Sequence, residues 1–357
     1  MKVLVGMSGG VDSSMAAELL SEQGYDVVGI TLKLYDYTEL DFEPPDGGCC
    51  SIDLINDARS VCDKLGIPHY VVDLQDSFRK NVIENFIESY SNGRTPNPCI
   101  NCNRFVKWGE MLHTADKLEC EYIATGHYAR VELKAGQPHL LKARDLTKDQ
   151  SYALWGVKRE ALSRTLLPVG EFTKSEIRAK AALLGFRNAD RPDSQEICFV
   201  PNRNYAEIVH KNRRLSDDSL RPGPIYDTSG NRIGEHRGYA YYTIGQRKGF
   251  GISTGKPLYV TRINPADRSI VVGTNDDLHA RRFSVIDINL LSNNLPETVT
   301  VKIRYKHQGS PAHIELSDDK AEVTFVEAER AITPGQSAVF YDGDRVLGGG
   351  IIDEVMD

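Results

Sequence analysis

Long apolar runs are the first thing this chain of 357 residues lacks. No stretch approaches the roughly 18 apolar residues a membrane span needs, so no membrane partner is expected. The apolar opening from Met1 to Met7 turns polar at Ser8 and is shorter than the ~7–15-residue core of a secretory signal. The expected compartment is the cytoplasm. An excess of positive charge is missing as well: 43 Lys and Arg face 50 Asp and Glu, for a net charge of −7. Global charge therefore gives no warrant for a nucleic-acid partner, which would need a local basic surface. The short runs that offer one are His210-Lys211-Asn212-Arg213-Arg214, Gln246-Arg247-Lys248-Gly249 and Arg281-Arg282, each of which also reads as a solvated face. There is no long internal repeat and no low-complexity tract. Cysteine is sparse and odd in number, at seven. Without an export signal, that count argues against a disulfide scaffold and leaves metal, redox or sulfur chemistry.

What is present is a soluble globular composition, 40% hydrophobic and 26% charged, in a chain long enough for two or three domains. Strand and helix patterns alternate through the first half: strands at Lys2–Met7, Asp26–Tyr35, Pro68–Leu74 and Tyr122–Tyr128, and helices at Ser13–Gln23, from a cap at Ser51 to Leu65, at Arg79–Ser91 and at Thr173–Leu184. Repeated βα units imply a doubly wound parallel sheet with ligands at the carboxyl ends of its strands. After Cys198, Gly and Pro become dense and hairpin signals appear around Asp227–Gly230 and Asn264–Asp267. From about Arg281 six alternating segments predict a small antiparallel barrel. The expected division is 1–200, a mixed middle domain at 201–278 and the barrel at 279–357.

Gly6-Met7-Ser8-Gly9-Gly10-Val11-Asp12-Ser13-Ser14 lies between the first strand and the first helix. Its glycines let backbone N–H groups approach an anion, and the helix start adds partial positive charge. Asp12 reads as a Mg²⁺ or ribose contact or as a helix-start residue. With no Gly-Lys-Ser/Thr this is not the loop of γ-phosphoryl chemistry. Ser-Gly-Gly-Val-Asp-Ser looks like the PP-loop of ATP pyrophosphatases, which leave AMP on a substrate; the loop does not identify the acceptor.

Asn97 and Pro98 predict a helix start, placing Cys99 and Cys102 three apart on one face. The helix terminus with Arg104 and Lys107 should lower a thiol pKa toward neutrality. One Cys-x-x-Cys is also half of a zinc site, for which Cys198 is the only obvious distant ligand. Cys49-Cys50, Cys62 and Cys120 read as filler or core.

These strings, with Thr125-Gly126-His127-Tyr128, Lys148-Asp149-Gln150-Ser151-Tyr152-Ala153-Leu154, Ile197-Cys198-Phe199 and Tyr242-Thr243-Ile244-Gly245-Gln246-Arg247-Lys248-Gly249, resemble the MnmA (TrmU) family of tRNA-specific 2-thiouridylases over essentially the whole chain. The resemblance implies adenylation of the C2 oxygen of the wobble uridine in tRNAs for Lys, Glu and Gln, followed by sulfur transfer. ATP, with Mg²⁺, would contact Gly6, Met7, Ser8, Gly9, Gly10, Val11, Asp12, Ser13, Leu32 and Gly126. Cys198 would carry a persulfide sulfur from a cysteine desulfurase or relay protein. Cys102 would be the second thiol, leaving a Cys102–Cys198 disulfide. Asn97, Pro98 and Cys99 would lie against the base. His127, Asp149, Gln150, Ser151, Arg304 and Tyr305 would meet tRNA, with Arg247 and Lys248 gripping the anticodon arm. Many members carry Asp where this chain has Cys99. That departure raises an alternative, a [4Fe-4S] cluster on Cys99, Cys102 and Cys198 with one iron open to sulfide. Rival readings are another PP-loop adenylating synthetase, a silent ATP-binding protein and a structural zinc protein.

Overall fold

The computed structural model describes residues 1–35, 52–193, 197–200, 205–211, 217–252 and 255–356. The predicted cap Ser51, the Cys49-Cys50 pair and residues 212–214 of one basic run lie outside them.

Val3, Leu4 and Val5 are fully buried, as a strand covered on both faces requires. This strand, β1 (Lys2–Gly6), pairs in parallel with β2 (Asp26–Lys33) from Lys2↔Asp26 to Gly6↔Ile30. β3 (His69–Asp73) lies outside β2. On the other side of β1 comes β4 (Tyr122–Ala124). The predicted strand Tyr122–Tyr128 ends early because Thr125-Gly126-His127 turns the chain into a hairpin that the sequence did not signal, β5 (Ala129–Lys134) and β6 (Gln137–Lys142). β7 (Thr165–Leu166) closes the order β3-β2-β1-β4-β7. The order reverses at β1, so the crevice at the carboxyl ends of β1 and β4 is where this architecture receives ligands. Helix α1 (Val11–Glu22) leaves that end directly after β1.

The middle domain is a four-stranded sheet in the order Tyr259–Asn264, Ser269–Gly273, Gly223–Asp227, Arg232–His236. Its small core holds Ile225, Val260, Ile270 and Val272 beside Tyr239 and Tyr242. The six predicted barrel strands are all present, and His279–Leu290 closes on Arg345–Val355 to make an antiparallel barrel around Phe283, Phe325 and Phe340.

The barrel is joined to the first domain rather than merely tethered to it. The β5–β6 hairpin extends the barrel sheet at Leu141↔Arg345. Tyr152 OH donates to Ser337 O at 2.8 Å, and Asn289 Nδ2 donates to Trp155 O at 2.6 Å. A Cβ on Gly349 would stand 3.0 Å from the Trp155 ring, so glycine is what lets the indole lie flat on that strand. No helix among the described residues is long and apolar enough to cross a membrane.

Candidate active site

The loop after β1 is built from its own serines. Ser8 N–H donates to Ser13 Oγ at 3.1 Å, and Ser13 Oγ and Ser14 Oγ each donate to Gly10 O at 3.0 Å. From β2, Thr31 Oγ1 donates to Met7 O at 2.8 Å and holds the loop's root. Gly10 is the N-cap of α1 and brings no side-chain acceptor to the first-turn N–H groups. Those donors are left for an anion, and the helix terminus adds its partial positive charge. Two glycines make room. Gly9 has φ +75°, and a Cβ there would lie 2.5 Å from Leu54 O. A Cβ on Gly126 would lie 2.6 Å from Ser13 N. Gly126 thus lets the loop after β4 touch the start of α1. Gly126→Ala should cost about 1–3 kcal/mol, as overpacking does, and weaken nucleotide binding by displacing the helix terminus. Thermal melts with and without ATP check both effects.

Asp12, in the first turn of α1, is the centre of a charge network that sequence reading did not find. Lys174 Nζ contacts Asp12 Oδ1 and Oδ2 at 2.7 and 2.8 Å and Asp193 Oδ1 at 2.8 Å. Tyr128 OH donates to Asp12 Oδ1 at 2.9 Å. Burial and the Asp12 charge push the Tyr128 phenol up, so it remains a donor. Asp193 also meets Lys148 at 2.7 Å and Arg178 at 3.1 Å. Burial alone would raise the Asp193 carboxyl, but its bonds to Lys148, Lys174 and Arg178 outweigh that and hold it well below the usual carboxylate range. Stability from Asp193 is therefore complete above the unfolded pKa near about 4 and is lost as pH falls from there toward the folded value. Asp193→Asn should flatten the decline in urea midpoint between about pH 5 and about pH 3. Asn188 Nδ2 completes the cradle, donating to Gly9 O and Ser14 Oγ, both at 2.9 Å. Nothing in the local pattern marks Lys174, Asn188 or Asp193, because their partners lie far away in sequence.

Asn97 caps its helix as predicted, its side chain accepting from Cys99 N–H at 3.2 Å, with Pro98 in the first turn. The helix then widens into a π-helical stretch, Cys102–Glu110. The thiols do not share an environment. Cys99 is exposed at the rim, while Cys102 is buried. The expected lowering of the thiol pKa is corrected at Cys99: although the residue is exposed, desolvation at its sulfur pushes it up, and Lys107 offsets only part of the rise. Arg104 is turned away, its guanidinium 2.5 Å from Asp287 of the barrel.

Cys102 and Cys198 pack on the same hydrophobic cluster despite their separation in sequence. Cys102 is part of a core with Leu34, Tyr35, Phe86 and Phe199, and Cys198 packs against it. Phe199 anchors the second cysteine, its ring 5.2 Å from Phe86 and 5.7 Å from Phe78. Leu34 and Tyr35 continue β2 past its carboxyl end, and Gly6 at the end of β1 pairs with Ile30. The cysteine cluster and the phosphate loop therefore occupy the same end of the sheet. Leu32 packs against both this cluster and the central core. No group of three or more His, Cys, Asp or Glu side chains placed to hold a metal occurs among the described residues, so the cluster on Cys99, Cys102 and Cys198 finds no support. Cys62 and Cys120 are buried in the sheet's cores, and burial followed by Asp63 pushes the Cys62 thiol up to about 12.

The remaining expected RNA contacts divide by exposure. Arg247 and Lys248 are exposed on a turn, and Tyr305 is exposed on the barrel. Arg304 is half-buried and donates to Arg330 O at 3.0 Å. His127 is half-buried, with Nδ1 2.7 Å from Thr125 Oγ1, and burial together with Lys107 keeps its imidazole neutral. Gln150 accepts from Tyr128 N–H at 2.8 Å, bracing the loop that packs on α1. Asp149 and Ser151 face inward. Asp149 accepts from Ala143 N–H at 3.0 Å and from Ser151 Oγ at 2.8 Å, and Ser151 lies 3.2 Å from Tyr341 OH. Ser151 is fully buried, so its side chain offers no surface to RNA here. The pair serves the joint with the barrel. Arg282 pairs with Glu322 and Arg281 donates to Phe325 O, so that basic run is engaged in the barrel sheet.

Comparison with known proteins agrees with this organisation. Residues 1–202 match the tRNA methyl transferase HUP domain, 215–274 the tRNA methyl transferase PRC-barrel domain and 280–352 the aminomethyltransferase beta-barrel domain. The chain is 48% identical to the tRNA-specific 2-thiouridylase MnmA of Acetivibrio thermocellus, over 98% of this chain and 99% of that protein. It is 45% identical to that of Clostridium perfringens, over 99% of each chain, and 46% identical to that of Clostridioides difficile, over 99% and 98%. Full-length identity of this order, with the domain matches, places the chain in the MnmA family of tRNA-specific 2-thiouridylases.

Proposed function

We propose that the chain uses ATP to replace the C2 oxygen of a wobble uridine in tRNA with sulfur. The observation that supports this reading is that Cys102 and Cys198 pack on one hydrophobic cluster at the sheet end where the phosphate loop opens. A synthetase that joins an amine to an adenylate needs the loop but neither thiol.

The residues fit a nucleotide. Gly9 and Gly126 let Leu54 and the start of α1 pack where a Cβ would clash, and the first-turn N–H groups of α1 have no side-chain cap. Asp12 would be the carboxylate nearest the loop for Mg²⁺ arriving with ATP, in exchange for part of its contact with Lys174. ATP provides the AMP that turns the C2 oxygen into a leaving group. The loop amides then stabilise negative charge on the departing phosphates.

Two thiols balance the sulfur transfer. A terminal persulfide sulfur on Cys198, supplied by a cysteine desulfurase or relay protein, bonds to C2, and the C2–O bond breaks as AMP leaves. The Cys102 thiolate then attacks Cys198 Sγ. The sulfur–sulfur bond breaks, its electrons remain on the sulfur attached to C2, and a Cys102–Cys198 disulfide forms. An external dithiol reduces that disulfide for the next turnover. In this reading Asn97, Pro98 and Cys99 would lie against the flipped base, and Arg247, Lys248 and Tyr305 would meet the anticodon arm. Unmodified tRNAs for Lys, Glu and Gln are the expected substrates. Release of pyrophosphate only when such a tRNA is added supports the reading, whereas release triggered by a small amine acceptor alone overturns it.

A further inference from the structure

The segment 91–97 leads into the helix that carries Cys99 and Cys102, and both other domains hold it. From the middle domain, Tyr239 OH donates to Ser91 O at 2.7 Å, and a Cβ on Gly93 would lie 2.8 Å from Pro265 Cγ. From the barrel, Asp353 lies 2.5 Å from Arg94. At Thr95 every hydrogen-bonding group is engaged outside the first domain. Its N–H donates to Pro334 O at 2.9 Å, its carbonyl accepts from Gln336 Nε2 at 2.8 Å, and its hydroxyl donates to Thr243 Oγ1 at 3.3 Å.

Thr243 is the root of the exposed basic turn. Its N–H donates to Gln246 Oε1 at 3.1 Å, and Gln246 Nε2 donates to Lys248 O at 2.8 Å. Two residues beyond Thr95, Asn97 caps the thiol helix. One residue thus separates a bonded contact with the RNA-facing turn from the cap that orients Cys99 and Cys102. A segment fixed by hydrogen bonds to two neighbouring bodies follows their displacement, which is the physical requirement for coupling between sites.

We propose that Thr95 is a positioning residue that sets the thiol helix in response to RNA docking on Arg247 and Lys248. The inference rests on the reading that this chain thiolates tRNA. It assigns Thr95, Thr243 and Gln336 no contact with substrate.

The test uses the full chain with Thr95→Val, Gln336→Leu, Thr243→Val and the double variant Thr95→Val/Thr243→Val. Hydrogen–deuterium exchange of the backbone amides of residues 103–110, read by peptide mass, reports the helix position away from the base and independently of turnover. In the parent protein, saturating unmodified tRNA should change that exchange rate by about threefold or more. In Thr95→Val and Gln336→Leu, tRNA affinity should stay within about twofold and the tRNA effect on these amides should largely vanish. Single-turnover thiolation at saturating tRNA and ATP should fall roughly tenfold, a loss in kcat rather than KM. Thr95→Ser should restore it, and the double variant should be no worse than either single one. Should Thr95→Val not fold, Thr243→Val removes the same bond from the other side. A parent protein in which the amides of residues 103–110 ignore tRNA overturns the inference, as do variants that retain the parent's tRNA response or lose affinity and rate together. Absence of thiouridine from the parent protein would instead count against the proposed function, while thiolation by parent and variants alike rejects the role of Thr95 alone.

Discussion

Cys198→Ser should lower thiouridine formation by on the order of 10³-fold or more, because a serine oxygen can neither carry a persulfide sulfur nor be left as half of a disulfide. The same variant should bind ATP and tRNA normally and still release pyrophosphate when tRNA is added. The loop that holds the nucleotide is built from Ser8, Ser13, Asn188 and Lys174, none of which depends on Cys198. Cys102→Ser separates the steps further. Sulfur should reach C2, but the product should remain bonded to Cys198 through two sulfurs, recoverable as a protein–RNA adduct that a dithiol releases. Intact-mass and nucleoside measurements on both variants check these outcomes. Thiolation by Cys198→Ser near the parent rate would remove the persulfide from the proposal.

Lys174→Met should produce the largest loss of stability. Lys174 is 8% exposed and bridges two carboxylates, Asp12 and Asp193, whose side chains are 30% and 22% exposed. Removing one member of such a set leaves opposed charges in poor solvent, at a cost of about 3 kcal/mol, the lower end of the range for breaking buried pairs. For a domain of this size that is a fall of roughly 6–12 °C in Tm. The Met side chain replaces the aliphatic stem, so the loss reports charge rather than volume. Lys174→Arg should recover part of it. A melting temperature within one or two degrees of the parent would show that Asp12 and Asp193 do not need the bridge.

The fold was legible because its signals are local. An apolar run followed by a glycine turn gave β1 and α1, and alternation gave all six barrel strands. The β5–β6 hairpin was not, because its role is set by Leu141 pairing with Arg345, a contact across two hundred residues. The site divides in the same way. The phosphate loop and the Asn97 cap depend on neighbours in sequence and were found there. The bridge from Lys174 to Asp12 and Asp193 spans 162 residues on one side and resembles an ordinary helix start from the other. The expected pKa at Cys99 was reversed for the same reason. Charge near in sequence was assumed to be near in space, yet Arg104 is bound to Asp287 and desolvation at the sulfur outweighs Lys107. Asp149 and Ser151 show the converse, for a polar string that suggests a surface contact is folded inward to join the barrel.

The most direct measurement is nucleoside mass analysis of unmodified tRNA incubated with the protein, ATP, Mg²⁺, a cysteine desulfurase and cysteine. A gain of 16 mass units on uridine at the wobble position, dependent on ATP and on Cys198, is the predicted result. Pyrophosphate release without sulfur entering any uridine, in protein whose phosphate loop binds ATP, would contradict it.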